Sequence, residues 1–385
     1  MQLKNKNHLF DIPKNITYLN NAGMSPSFKS VEEAGIRAVL EKSRPYLIPS
    51  SDFFDPVTEL KQLFAELIGA NEYNRVATIP SVSYGIATVA KNIKLKSSDE
   101  ILLVEEQFPS NYYSWEKLAD KYNATLKIIK QPDSEVDCGK KWNKNILDAI
   151  NENTAVVAMG QTHWSNGTLF DVKAISKKTK KHHSLFIIDG SQSVGAFPFS
   201  IDEIQPDALI CAGYKWLFGP YGFCFAYYGS YFDNGEPLEE NWANRLHSEN
   251  LSGLTQYQQE YKPFAARYTM GESGNFIYVQ MQIAALKQLI EWTPEAIQEY
   301  CKELTKESVN ELRQIGCYIE NDEDRTHHMF GVKLPKSIDI ELLKGKLNEH
   351  QIFISFRGSY LRISCHLYNT KEELSLLYRC IEESL

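Results

Sequence analysis

At 385 residues the chain is too long for one comfortable core, and its 43% hydrophobic and 23% charged content is that of an ordinary globular protein. Lys and Arg number 41 against 49 Asp and Glu, a formal net charge of −8, which argues against a nucleic-acid partner. No apolar run approaches the ~20 residues that span a bilayer, the opening MQLKNKNHLFDIPKN lacks a signal-peptide core, and seven scattered cysteines form no Cys-x-x-Cys pair. The expectation is a protein with reduced thiols in the cytoplasm, away from membranes.

In chain order, Tyr18-Leu-Asn-Asn-Ala-Gly reads as a short extended segment. Asp55-Pro56 opens a helix whose apolar positions Val57, Leu60, Phe64, Leu67 and Ile68 recur at helical spacing until Gly69. A strand at 76–79 leads through PSVSYG into the helical IATVAKNI. A strand, a small polar loop and a helix N-terminus leave backbone N–H groups free at the positive end of a dipole, which makes a phosphate seat; Ser83 fits equally well as an N-cap. Strands follow at 101–104 and 155–159, the second entering GQTHWSNGT, where His163 reads as a packed, hydrogen-bonded residue.

An apolar run at 185–188 ends in Asp189, and another at 208–212 leads to Lys215 within LICAGYKWLFGPYG. A lysine at the end of a buried strand loses hydration, which favours the neutral amine and a nucleophile able to form a Schiff base. Pyridoxal phosphate needs this pair: a lysine for its aldehyde and an acid to keep its pyridine nitrogen protonated. Asp207, before the lysine strand, reads as a cap or turn residue.

Residues 232–261 are polar and loop-rich, placed over the site or at a dimer contact. From Val279 the helical period runs through MQIAALKQLIEW and past Leu304 as one long helix. Short strands are expected near 317–320 and 329–334, a helix near 340–347, and a last helix opened by a Thr370–Glu373 capping box. His327-His328 has no acidic or cysteine partner at ligand spacing and reads as a solvated loop, so no metal is expected. ISFRGSYLRISCHLYN carries Arg357 and Arg362, and a planar guanidinium fork is what an amino-acid carboxylate needs.

In this order YLNNAG, PSVSYG, SNYYSW, DGSQSVGA, LICAGYKW, AARYTMGESGNF and LRISCHLYNTKEE resemble the class V aminotransferase family of pyridoxal phosphate enzymes. That family also holds cysteine desulfurases, selenocysteine lyases, kynureninases and isopenicillin epimerase. The resemblance implies an α/β fold with a large cofactor-binding domain, 15–275, built on a mainly parallel mixed sheet sandwiched by helices. Residues 276–385, joined by 1–14, would form a smaller α+β domain. It implies Lys215 as the Schiff-base lysine and Asp189 at the pyridine nitrogen. It further implies Ser83 and Tyr84 at the phosphate, Phe108 stacked on the ring, Asn166 and Gln192 near the phenolic oxygen, and the Tyr214 hydroxyl at the phosphate. Arg362 matches the carboxylate-binding arginine, and Asn21 lies in a segment that contacts substrate. Ser273 lies where a neighbouring subunit of a homodimer completes the phosphate site.

Three features bear on the reaction. Phe108 stands where desulfurases have a histidine, and Tyr214 before the lysine is familiar from kynureninases. Between Arg357 and Arg362 only Gly-Ser-Tyr-Leu remains, with no room for the cysteine-bearing loop of desulfurases, and Cys365 lies beyond the arginine. Persulfide chemistry is therefore not expected. Transamination of an amino acid is the first expectation, with a kynureninase-like or C–S lyase or an epimerase as alternatives and a non-catalytic cofactor-binding protein behind them. A nicotinamide-dependent dehydrogenase would want a G-x-G-x-x-G after an early strand, which is missing.

Overall fold

The computed structural model describes residues 3–385. The chain opens with a two-residue strand, β1 (Thr17–Tyr18), and the helices α1 (Lys29–Lys42) and α2 (Asp55–Leu67). It then alternates through β2 (Val76–Ile79), α3 (Val82–Lys91), β3 (Glu100–Val104), α4 (Tyr113–Tyr122), β4 (Thr125–Ile129), α5 (Cys138–Ala149), β5 (Thr154–Gly160) and α6 (Val172–Lys181). After these come β6 (Leu185–Asp189), the one-turn α7 (Ile201–Ile204), β7 (Ala208–Ala212) and β8 (Cys224–Tyr228).

Strands β2 to β8 form one seven-stranded sheet in the order β2-β8-β7-β6-β5-β3-β4, parallel except that β8 runs against both its neighbours. The sheet is covered on both faces, so β7 in its interior and β2 at one edge are buried at every position and lack the alternation of a half-exposed strand. On one face α2 packs by its apolar stripe, with Phe64 stacked on Phe225 at 4.3 Å. On the other, α3 and α4 contribute Ile86, Val89, Trp115 and Leu118 to a second core. Parallel strands point their carboxyl ends the same way, so the loops after β5, β6 and β7 open at one edge, where ligands of such sheets bind.

The remaining elements are α8 (Tyr278–Trp292), α9 (Pro294–Gln314), β9 (Met329–Lys333), α10 (Ile340–Glu349), β10 (Ile352–Phe353), β11 (Ser355–Arg357), β12 (Tyr360–Ser364) and α11 (Lys371–Glu382). Strands β11, β12 and β9 form an antiparallel sheet in that order. The Thr370–Glu373 capping box opens α11 as expected.

Four local expectations are corrected. The single long helix is two, broken at Thr293, which takes φ +62° and ψ 139°. Pro294 has no N–H to continue the ladder and bars the residue before it from helical geometry; Thr293 instead accepts from Ala296 N and caps the second helix. No strand forms at 317–320, where Tyr318 makes only an isolated bridge to Lys333. The N-cap of α3 is Ser81, whose hydroxyl accepts from Tyr84 N at 3.1 Å, rather than Ser83. The His327-His328 pair is not a solvated loop: His328 is fully buried, its ring held between Gln298 Nε2 at 2.7 Å and the Gln192 carbonyl at 2.8 Å.

The expected boundary between the two domains is crossed in both directions. β1 pairs in parallel with β10, and Asn20 bridges Ser364, so the segment at 17–21 lies against the C-terminal layer. Conversely α8 lies on α1, close enough that a Cβ at Gly35 would meet Met281 Sδ at 3.0 Å. No helix among the described residues is long and apolar enough to cross a membrane, and none of their His, Cys, Asp and Glu side chains cluster in a metal-binding group.

Candidate active site

Lys215, Asp189, Phe108, Tyr214, Gln192 and Ser83 line one cavity of about 220 Å³ at the carboxyl ends of the parallel strands. Local chain geometry aims the lysine. The turn after β7 needs Gly213, since a Cβ there would sit 2.0 Å from the Phe223 carbonyl oxygen. It is closed by Gly219 N donating to the Gly213 carbonyl at 2.8 Å and braced from α8 by Gln282 Nε2 on the Leu217 carbonyl at 3.0 Å. Lys215 Nζ then lies 5.5 Å from the Phe108 ring centroid and 5.8 Å from that of Tyr214. Burial lowers its pKa from 10.5 to about 8; Asp189 works against the shift, while Arg362 and Arg357 add to it.

Asp189 ends β6 one strand away, in register with Ile210 of β7. It accepts from Ser191 N at 3.0 Å and from Asn111 Nδ2 at 3.5 Å. Asn111 is itself fixed by the buried Trp115, whose Nε1 donates to Asn111 Oδ1 at 2.8 Å. This support for the aspartate has no short-range signal, because Asn111 and Asp189 are 78 positions apart.

The first turn of α3 enters the same cavity through Ser81, Val82 and Ser83. Tyr84 departs from expectation: its N–H is already bonded to Ser81, and its hydroxyl is buried without a partner outside this cavity. Asn166 also departs from expectation. Its Oδ1 faces His163 Nδ1 at 3.1 Å and Thr168 N at 3.0 Å, and its Nδ2 reaches Gln131 Oε1 at 3.3 Å, so the amide ties its own loop together while Thr162 and Trp164 form the wall. His163 is buried, its pKa lowered to about 4 by desolvation, and it packs as a neutral ring. Gln192 lines the cavity with both ends of its amide in use, on Trp216 Nε1 at 2.8 Å and the Ala22 carbonyl at 3.1 Å.

Asn21 is fully buried between Tyr368, whose hydroxyl donates to Asn21 Oδ1 at 3.1 Å, and the Lys215 carbonyl, 3.5 Å from Asn21 Nδ2. It braces the lysine backbone. Ser273 lies elsewhere, lining a separate cavity of about 430 Å³ with Lys61, Lys262 and Phe276.

Arg362 is 1% exposed, and no carboxylate among the described residues pairs with it. One Nη1–H donates to the Trp164 carbonyl at 2.7 Å, while Nε is buried with no partner. Burial, with Arg357 nearby, lowers the guanidinium to about 9. Leaving a buried charge so poorly paired is costly, and Arg362 is not itself among the residues that line the cavity. The residue sequence reasoning missed here is Trp164, which lines the cavity, holds Arg362 by its carbonyl, and meets Phe108 edge-on at 5.3 Å.

An amine of depressed pKa, a carboxylate on the adjoining strand, free first-turn N–H groups and an aromatic wall are the donor set that pyridoxal phosphate requires, so the residues fit that group. This is the site of a pyridoxal phosphate enzyme. The chain belongs to the class-V aminotransferase family: the family model described as Aminotransferase class-V matches residues 17–377. Its cofactor is pyridoxal 5′-phosphate.

Over 313 residues it is 26% identical to the uncharacterized aminotransferase YcbU of Bacillus subtilis (strain 168), covering 81% of this chain and 79% of that relative. Two solved structures share the fold. The apo cysteine desulfurase from Thermococcus onnurineus NA1 matches with a TM-score of 0.83 and 18% identity over 99% of this chain and 98% of that one. The cystine C–S lyase C-DES, in complex with its product cysteine persulfide, matches with a TM-score of 0.84 and 18% identity over 96% and 98%.

Proposed function

We infer that this enzyme moves the amino group of an α-amino acid to a keto acid. The observation that carries this reading is the presence of Lys215 with a buried Arg362 that no carboxylate among the described residues pairs, at a site whose lining thiol, Cys224, is buried and its pKa pushed up to about 11. All seven cysteines are free and buried, and the β11–β12 turn is only Gly358-Ser359 between the paired Arg357 and Tyr360.

When bound, pyridoxal phosphate supplies an electron-poor ring that accepts the electrons released at the substrate α-carbon. The residues of this chain do the rest. The N–H groups of Val82 and Ser83 at the start of α3 would hold the phosphate, with the Tyr214 hydroxyl as a further donor. Asp189 would keep a proton on the ring nitrogen, and Phe108 would supply an aromatic face for the ring. Arg362 takes the substrate carboxylate in its planar fork, which fixes the α-carbon beside Lys215. The Lys215 amine, neutral in a large fraction near pH 8, removes the α-proton and delivers it to its new position.

A β-eliminating C–S lyase is the second reading. It is favoured by the fold shared with C-DES and by Phe108 in place of a histidine that could handle a proton. Seven buried thiols support a reducing compartment such as the cytoplasm. A homodimer is supported by the exposed apolar strip of Ile36, Val39 and Leu40, continued by Tyr46 and Leu47. Ser273 of such a partner would complete the phosphate site.

The holoenzyme should be given single amino acids, first alone and then with a 2-oxo acid. One equivalent of keto acid without the acceptor, and catalytic turnover with it, supports transamination. Catalytic release of ammonia without any acceptor overturns it in favour of the lyase.

A further inference from the structure

The β11–β12 hairpin carries a second guanidinium that the reaction above leaves unused. Ser355 pairs with Arg362, and Arg357 with Tyr360. Directly opposed residues in an antiparallel pair project from one face, as do residues two apart on a strand, so Arg357 and Arg362 share a face as diagonal neighbours. Like charges in that relation repel. No carboxylate lies within 4.0 Å of either group among the described residues. Glu106, whose carboxylate comes beside Gly358 at the hairpin tip, reaches neither guanidinium.

Trp164 joins the two arginines. Its carbonyl accepts from Arg362 Nη1 at 2.7 Å, and the Arg357 guanidinium carbon lies 5.9 Å from its ring centroid. The ring is fixed by Nε1 donating to the Glu106 carbonyl at 2.6 Å and forms part of the cavity wall. Arg357 is half-buried and otherwise donates only to the neighbouring Phe356 carbonyl, at 2.9 Å. A single α-carboxylate fills one fork. The second fork, next to the same indole, lacks an anion.

We propose that Arg357 selects amino acids with a second carboxylate on the side chain, the α-carboxylate resting on Arg362 and the side-chain carboxylate on Arg357, with Trp164 between them. This deepens the functional reading and rests on Arg362 as the α-carboxylate site.

The test is binding of unreactive acids to the holoenzyme by calorimetry: succinate and glutarate against butyrate and valerate. The dicarboxylates should bind at least about tenfold more tightly. Arg357→Gln should erase that preference while leaving butyrate binding unchanged, and Arg357→Lys, which keeps the charge but not the fork, should retain part of it. Equal binding of the two classes by the unmutated holoenzyme, or a preference that survives Arg357→Gln in a protein with unaltered circular dichroism, overturns the proposal. Arg362→Gln separates the two claims: it should weaken butyrate and succinate alike. If it weakens neither, the α-carboxylate site is wrong as well, whereas failure at Arg357 alone leaves that site standing.

Discussion

Arg362 and Trp164, 198 positions apart, are joined by a hydrogen bond of 2.7 Å from a buried guanidinium to a backbone carbonyl. The carbonyl is a neutral partner for a full charge, and it leaves the buried Nε of the guanidinium without a partner beside the cavity wall that Trp164 forms.

Replacing Arg362 with glutamine should therefore raise the KM for amino acids about 10- to 100-fold, the worth of a charge-assisted pair of hydrogen bonds. Steady-state kinetics at saturating acceptor measure this. An unchanged KM would move the carboxylate elsewhere.

The Lys215 amine titrates near 8 instead of 10.5, mainly through burial. Its nucleophilic neutral form grows tenfold per pH unit below that value and levels off above it. Attachment of the cofactor to the apoprotein, followed by stopped-flow absorbance, should accelerate up to about pH 8 and then flatten. Asp189→Asn removes the strongest opposing influence and should move the bend to lower pH. The same shift makes the apoprotein more stable as pH rises from about 8 toward 10.5, because in that window the unfolded chain binds a proton that the folded one does not.

Gly213 and Gly222 flank the lysine turn under different constraints. A Cβ at Gly213 would collide with a backbone oxygen at 2.0 Å, so Gly213→Ala should cost about 1–3 kcal/mol and displace Lys215. Gly222 has open space for a Cβ but a φ of +86°, so Gly222→Ala should cost about 1 kcal/mol through backbone strain alone. Urea unfolding midpoints would rank the two.

Much of this was legible in the sequence where the signal is local. Apolar runs ending in Asp189 and Lys215 gave adjacent strands β6 and β7, and the Thr370–Glu373 spacing gave the cap of α11. The break at Thr293 was also written locally, in the proline that follows, but the apolar period continues across it. Ser83 reads as an N-cap, but the helix already begins at Val82, and the contact with Tyr84 N makes Ser81 the cap. Features built from distant partners had no signature: the burial of His328 depends on Gln298 and Gln192, the aim of Arg362 depends on Trp164, and the engagement of Asn166 depends in part on Gln131.

All seven thiols are buried, so in the native protein a disulfide reagent should titrate none of them rapidly and all seven after unfolding. Incubation of the holoenzyme with cysteine should leave no persulfide on the protein. A fast-reacting native thiol or a protein persulfide would restore the desulfurase mechanism.

The central claim is that Lys215 carries the cofactor, and borohydride reduction of the holoenzyme followed by peptide mass mapping tests it most directly. The reduced cofactor should appear as a stable mass increase on the peptide containing Lys215, and on no other lysine. Labelling of a different lysine, or no labelling of a protein with bound cofactor, would contradict the account.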